Sequence, residues 1–242
     1  MDADLDSLCT VVYCTADDLL PEARADARRK VTDAEVVTLC VAQAIMGIPS
    51  DRRFLRTARR QLGHLFPRLP GQSAYFKRGR RLADTLEWLL LHFAQQSPGY
   101  HDELLLIDST PVECGRSRET AKRSELAEVA GYGYCAAHSR WSWGLRLHAL
   151  CAPDGAPRAL TLAAPSRDER EDGVGPHLAQ IRQRIESIFW TTKDLLALER
   201  HGARTTAGLR ERIAVRFLCL AACISLNHRL GRPSRALVSC CA

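Results

Sequence analysis

Two carboxylates are the residues of this sequence best suited to chemistry. Asp108 follows the apolar run Leu104-Leu105-Leu106-Ile107, and Glu186 lies 78 residues further on, beside the stripe Ile181, Ile185, Ile188 and Phe189. A hard divalent cation such as Mg²⁺ takes oxygen ligands and few protein carboxylates. Two such ions, held ~3.5–4 Å apart by acids from separate elements, catalyse phosphoryl transfer. Asp108 on a strand and Glu186 on a helix are the natural pair for that chemistry. Each also has a plainer reading. A strand-end Asp serves as a turn or cap residue, and a Glu on a helix flank is ordinarily solvated.

The local patterns say what would position these acids. Leu104 to Ile107 reads as a short buried strand ended by Asp108-Ser109-Thr110-Pro111. From Tyr132 to Leu150 the chain turns strand-like, with alternation in its second half, and Pro153-Asp154-Gly155 is a turn signal. Arg158 to Leu162 then reads as the partner strand of a hairpin, giving three strands in order with the acid on the first. Trp141 and Trp143 read as sheet cover. After Pro176 the pattern is helical: Ile181 to Phe189 form one face, and a last helix runs from about Leu209 to Arg229 until Pro233 ends the order.

Residues 1–97 read as helical. Thr32-Asp33-Ala34-Glu35 has the spacing of a capping box before the apolar run Val36 to Ile48. Ser50 or Asp51 can cap a second helix, with Phe54, Leu55, Ala58 and Leu62 on one face and Arg52, Arg53, Arg56, Arg59 and Arg60 over the rest. Pro67 and Pro70 interrupt. A basic helix then starts at Ser73, carries Lys77, Arg78, Arg80 and Arg81, and turns apolar from Leu86 to Phe93. Short helices followed by a basic, aromatic-bearing one suit a helix-turn-helix-like DNA reader. A plain helical bundle with a solvated basic face fits the same pattern. Gln95 to Gly99 is a linker by composition.

The 242 residues are 46% hydrophobic and 26% charged, an ordinary globular composition. The net charge is +6, nearly all of it from arginine, which favours a polyanionic partner. A GC-rich genome also raises arginine content. None of the 10 Cys forms C-x-x-C or completes a zinc pattern, so they read as reduced cytosolic thiols. The acidic start lacks a signal-peptide pattern, and the longest apolar stretch, Phe217 to Leu226, is far short of the ~20 residues of a membrane span. His138, His148 and His177 are scattered and read as packing or backbone-contacting residues. No G-x-S-x-G, P-loop or dinucleotide fingerprint points to a metabolic hydrolase.

Longer strings carry a resemblance. Leu104 to Cys114, Tyr132 to Cys135, Ala137 to Arg140 and Trp143 to His148 resemble the first-acid region of the insertion-sequence 982 family of DDE transposases. Gly175 to Leu178, Ile181 to Phe189 and Leu198 to Arg204 resemble its third-acid block, and Leu226-Asn227-His228 with Gly231-Arg232-Pro233 resembles its close. The likeness runs from about residue 30 to 238. It implies a ribonuclease-H-like core, cut-and-join chemistry on the element's terminal repeats, and Mg²⁺ (or Mn²⁺) held by Asp, Asp and Glu. Asp108 maps to the first acid and Glu186 to the third, as both metal ligands and catalytic residues. In that chemistry metal-activated water attacks a phosphodiester, and the freed 3′-hydroxyl then attacks target DNA.

The resemblance also implies a gap. The family's second Asp stands on a strand between the hairpin and the third-acid helix. Here 18 residues separate Leu162 from Ile181, where two helices, two strands and their loops need roughly 40. An internal deletion near residues 172–173 accounts for this, with Asp168 or Asp172 as substitute ligands. The expected fold class is therefore α+β (mixed α/β): a helical, helix-turn-helix-like region over 1–97, then a truncated ribonuclease-H-like core over 98–242. The expected partner is double-stranded DNA, contacted by Lys77, Arg78, Arg80, Arg81, Arg182 and Arg184. A homo-oligomer on DNA, a cytoplasmic, nucleoid-associated location and no membrane complete the expectation. The expected function is an insertion-sequence transposase impaired in catalysis. The competing readings are a non-catalytic DNA-binding remnant, which acts as an inhibitor or has no function, and a helix-turn-helix regulator without nuclease ancestry.

Overall fold

The structure is a computed structural model that describes residues 3–21, 30–115, 117–135, 140–165 and 179–237. It is mixed α+β, as expected, with an N-terminal helical region and a small antiparallel sheet. The helices α1 (Ala3–Leu19), α2 (Asp33–Ile45), α3 (Asp51–Gln61), α4 (Gln72–Arg81) and α5 (Ala83–Gln95) come first. The strands β1 (Leu106–Gly115), β2 (Gly131–Cys135), β3 (Arg140–Cys151) and β4 (Pro157–Ala163) follow, with the short α6 (Arg118–Arg123) between the first two. The helices α7 (Ala179–Asp194) and α8 (Thr206–Arg229) complete the order.

Local chemistry sets the starts of these helices. Thr32 Oγ1 accepts the Glu35 amide at 3.1 Å while the Glu35 carboxylate accepts the Thr32 amide, so the capping box closes both ways. Ser50 rather than Asp51 caps α3, through the Arg53 amide. Thr205 caps α8 through the Gly208 amide at 3.1 Å. The basic stretch after Ser73 is two helices and not one that changes character. The chain breaks at Leu82, which ends α4 and precedes α5. The break lets α5 lie along α8 while α4 packs on α2 and α3.

The helix α8 organises the core. It is buried at nearly every position from Gly208 to Asn227, as expected of a helix apolar on several faces. It touches α1, α2, α4, α5 and α7, so one buried cluster spans the helical region and the sheet. Phe54, Phe93 and Phe217 are among its fully buried side chains, each stabilising by about 1.5–3 kcal/mol. Order does not stop at Pro233. Leu237 is fully buried and the Asn227 side-chain amide donates to the Ser234 carbonyl at 3.2 Å.

In the sheet, β3 is central. It pairs antiparallel with β1 along one edge and with β2 and β4 on the other. The expected hairpin turn forms at Pro153–Gly155, with Gly155 at φ +99°. Among the described residues four strands stand where three were expected, because β2 and β3 are separate. Trp143, Leu145, Leu147, Ala149 and Cys151 are buried on alternate positions of β3, so one face is covered. Among the described residues the outer edge of β1 has no strand partner.

Candidate functional site

Asp108 does not end a strand. β1 begins at Leu106 and continues through Pro111 to Gly115, so Asp108 is its third residue. Leu104 and Ile107 are exposed rather than buried, Ile107 by 55%. The physical reason is pairing: every residue from Leu106 to Glu113 has a partner on β3, and Pro is tolerated because β1 is an edge strand. Asp108 faces Ala149, and Leu106, Thr110 and Val112 face Cys151, Leu147 and Leu145. Directly opposed residues share a face, so Asp108 lies on the covered face, half-buried among apolar neighbours. Its Oδ1 accepts the Ser109 amide at 2.8 Å.

Glu186 lies on α7, which packs against β1 and so meets the strand that carries Asp108. Ile185, Ile188 and Phe189 are buried, while Arg184, Glu186 and Trp190 are exposed. The two acid-bearing elements are thus in contact, with Asp108 on the covered face and Glu186 on the solvent side of its helix. Among the described residues no three of His, Cys, Asp and Glu converge. Those residues therefore do not make a complete site for the metal ions that the resemblance implies. Asp168, Asp172, His138, His177 and the side chain of Arg182 lie outside the described residues.

The four basic residues of α4 divide. Arg78 donates to the Val31 carbonyl at 2.7 Å and pairs with Asp33 at 2.5 Å. Arg80 donates to Thr205 Oγ1 at 3.0 Å and its guanidinium stacks 4.3 Å above the Phe76 ring. Both are committed to holding α4 in the fold. Lys77 and Arg81, one turn apart, are exposed. On the neighbouring α3 the arginines at 52, 53, 56, 59 and 60 are all exposed, while Phe54 and Ala58 are fully buried.

Beneath these helices lies a buried polar cluster that sequence reasoning did not single out. Arg212 donates to Asp51 at 2.8 Å and lies 3.3 Å from Glu211, and Arg216 donates to the Arg212 and Ala197 carbonyls. Burial pushes the Glu211 carboxyl above the usual range, opposed by Arg212 and Arg216. Burial, with Arg212 alongside, brings the Arg216 guanidinium down to about 10. Tyr75 donates to Gln43 Oε1 at 2.7 Å, and Gln43 Nε2 donates to Asp51 and to the Ile48 carbonyl. These bonds lock α2, α3, α4 and α8 together. The signal available in the sequence was charge inside an otherwise apolar helix.

His201 is buried between the sheet and this cluster. Its Nδ1 accepts the Ala203 amide at 3.0 Å and its Nε2 donates to the Glu113 carbonyl at 3.0 Å. Those partners fix the neutral tautomer. The thiols behave as small hydrophobes: burial raises Cys9, Cys40 and Cys151 to about 12. No helix among the described residues is long and apolar enough to cross a membrane. Comparison with protein-family models, curated proteins and solved structures finds no match.

Proposed function

We propose that the chain is an insertion-sequence transposase of the DDE type that binds DNA and is impaired in strand cleavage. The observation that carries this reading is the packing of α7, with Glu186, against β1, with Asp108 on its covered face. A packing strand does not need an acid among Leu106, Thr110 and Val112, and a metal-dependent phosphoryl-transfer site does. The antiparallel run β1, β3, β4 with Asp108 on its first strand supports the ribonuclease-H-like sheet that the resemblance implies. Among the described residues no strand lies along the outer edge of β1, which is where the strand bearing a second Asp would lie. Double-stranded DNA, in particular the element's terminal repeats, is the proposed partner. Homo-oligomeric assembly on it and a nucleoid location follow from the same reading.

A second reading, a non-catalytic DNA-binding remnant, is favoured by one observation: Asp108 and Glu186 are joined by no third ligand among the described residues. A nicking assay separates the two. The full chain is incubated with a labelled duplex carrying the element's terminal repeat and Mg²⁺ or Mn²⁺, beside Asp108→Asn and Glu186→Gln. Cleavage by the wild type, lost in both variants, supports the enzyme. Binding without cleavage supports the remnant, and neither binding nor cleavage removes both readings.

A further inference from the structure

The expected DNA contacts lie on α4, yet half of that helix's cations are spent inside the fold. The helix α3 is different. At 3.6 residues per turn, Arg52, Arg53, Arg56, Arg59 and Arg60 fall within an arc of about 120°, opposite the buried Phe54 and Ala58. All five are exposed. Among the described residues none has an acidic partner, and Arg53, Arg56 and Arg60 line an open groove with Thr57 and Gln61. The one acid of α3, Asp51, faces inward and is held by Arg212 and Gln43, so it does not neutralise the outer face.

Arg56 has Arg52, Arg53, Arg59 and Arg60 at three or four residues' distance. Like charges at that spacing repel and weaken a helix. An ordinary solvated face interleaves glutamate to relieve this, and α3 has none. An array of phosphates supplies the missing negative charge. A duplex carries one charge per ~1.7 Å of its axis, so several lie within the ~16 Å length of an 11-residue helix. Arginine matches phosphate in a bidentate manner that lysine does not.

We infer that α3 is the main phosphate-binding helix of the protein, seated on the backbone of duplex DNA, with Lys77 and Arg81 of the adjoining α4 as lesser contacts. This rests on the DNA-binding reading above. Contacts of this kind fix position and carry no sequence information, so affinity through α3 is independent of base sequence.

The test is fluorescence anisotropy of a random-sequence duplex against the full chain over a KCl series. Three variants are compared: Arg52→Gln/Arg56→Gln/Arg59→Gln/Arg60→Gln, the same four positions changed to Lys, and Lys77→Gln/Arg81→Gln. Circular dichroism and melting check folding; the Gln substitutions lower like-charge repulsion and leave the buried face intact. The expected result is a log–log salt slope shallower by about 0.9 for each phosphate no longer neutralised, thus by about 3.6 in the four-Gln variant and about 1.8 in the α4 variant. The four-Lys variant keeps most of the slope. A wild type that binds duplex, with the slope unchanged in the four-Gln variant, overturns α3 and leaves the DNA reading standing. Equal loss in the Lys and Gln variants overturns the phosphate assignment. Absence of duplex binding by the wild type overturns the DNA reading, and binding to phosphatidylserine vesicles instead assigns the face to a membrane surface.

Discussion

Arg212 of α8 donates to Asp51 of α3 at 2.8 Å, and both side chains are largely buried. The contact joins residues 161 positions apart and fixes the start of α3, with its five exposed arginines, to the central helix of the core. Asp51 also sits in the first turn of α3, where a carboxylate complements the helix dipole.

Asp51→Ala leaves Arg212 buried beside Glu211 alone and removes an acceptor from Gln43. The expected loss of stability is on the order of 3 kcal/mol, since breaking one side of a buried pair strands the other charge. Urea denaturation reads it directly. The double substitution Asp51→Ala/Arg212→Met is expected to lose less than the sum of the two single substitutions, because each removes the other's partner. A double variant that loses the sum of both single effects would show that the two residues act independently.

Tyr75 and Gln43 make a smaller, separable contact. Tyr75 is 3% exposed, packs 5.9 Å from the Phe54 ring, and donates to Gln43 Oε1. Tyr75→Phe keeps the ring and leaves a buried amide oxygen without its donor, which costs about 1–3 kcal/mol. Tyr75→Phe/Gln43→Leu is no remedy, because Gln43 Nε2 also serves Asp51 and Ile48. Chemical denaturation of the single variant, with an unchanged midpoint, would refute the contact.

His201 gives the fold a dependence on pH. Burial holds its imidazole below the ordinary value of about 6.5, with Arg216 and Arg212 adding to the effect and the bond to Glu113 opposing it. A lowered folded pKa means that the folded state binds the proton less readily than the unfolded chain. The stability from neutral His201 is therefore present above about pH 6.5 and lost as pH falls through the folded value. The denaturation midpoint is expected to drop between about pH 7.5 and about pH 5, and to drop less in His201→Gln. Identical pH profiles for the two proteins would assign the acid sensitivity elsewhere.

What the sequence disclosed was local. The Thr32 capping box, a cap at Ser50 or Asp51, the turn at Pro153 to Gly155 and the alternation on β3 depend on near neighbours along the chain, and each stands in the structure, the cap at Ser50. The misreadings share the opposite cause. Ser109-Thr110-Pro111 punctuates like a turn, but pairing with β3 carries the strand through it. Leu82 carries no breaker residue, and the break there follows from α5 packing on α8. Arg78 and Arg80 looked available because their partners Asp33 and Thr205 are 45 and 125 residues away. Of the candidate site, the presence of a strand around Asp108 was legible, but its bounds and the covered-face setting of Asp108 were not, since both are defined by pairing with the partner strand.

Gly144 shows how tightly that strand is held. It stands opposite Glu113 on β1 and Gly131 on β2, next to the irregularity between Glu113 and Gly115. A Cβ at Gly144 would fall 2.0 Å from the Val112 carbonyl oxygen and 3.0 Å from the Cys114 amide nitrogen. Both are backbone atoms, so no side chain can swing aside. Gly144→Ala must then pull β1 away from β3. The expected cost is about 3 kcal/mol, the upper end for overpacking. Gly131→Ala is the control: its Cβ would meet Pro165 at 3.5 Å, an ordinary contact, and the change is expected to be nearly neutral. Urea denaturation of the two variants tests this, and equal midpoints would mean that β1 yields easily at the crossing. The consequence reaches the candidate site, because Asp108 owes its place on the covered face to the same β1–β3 register. If the proposed cleavage is present, Gly144→Ala is expected to reduce it even at temperatures where the variant stays folded.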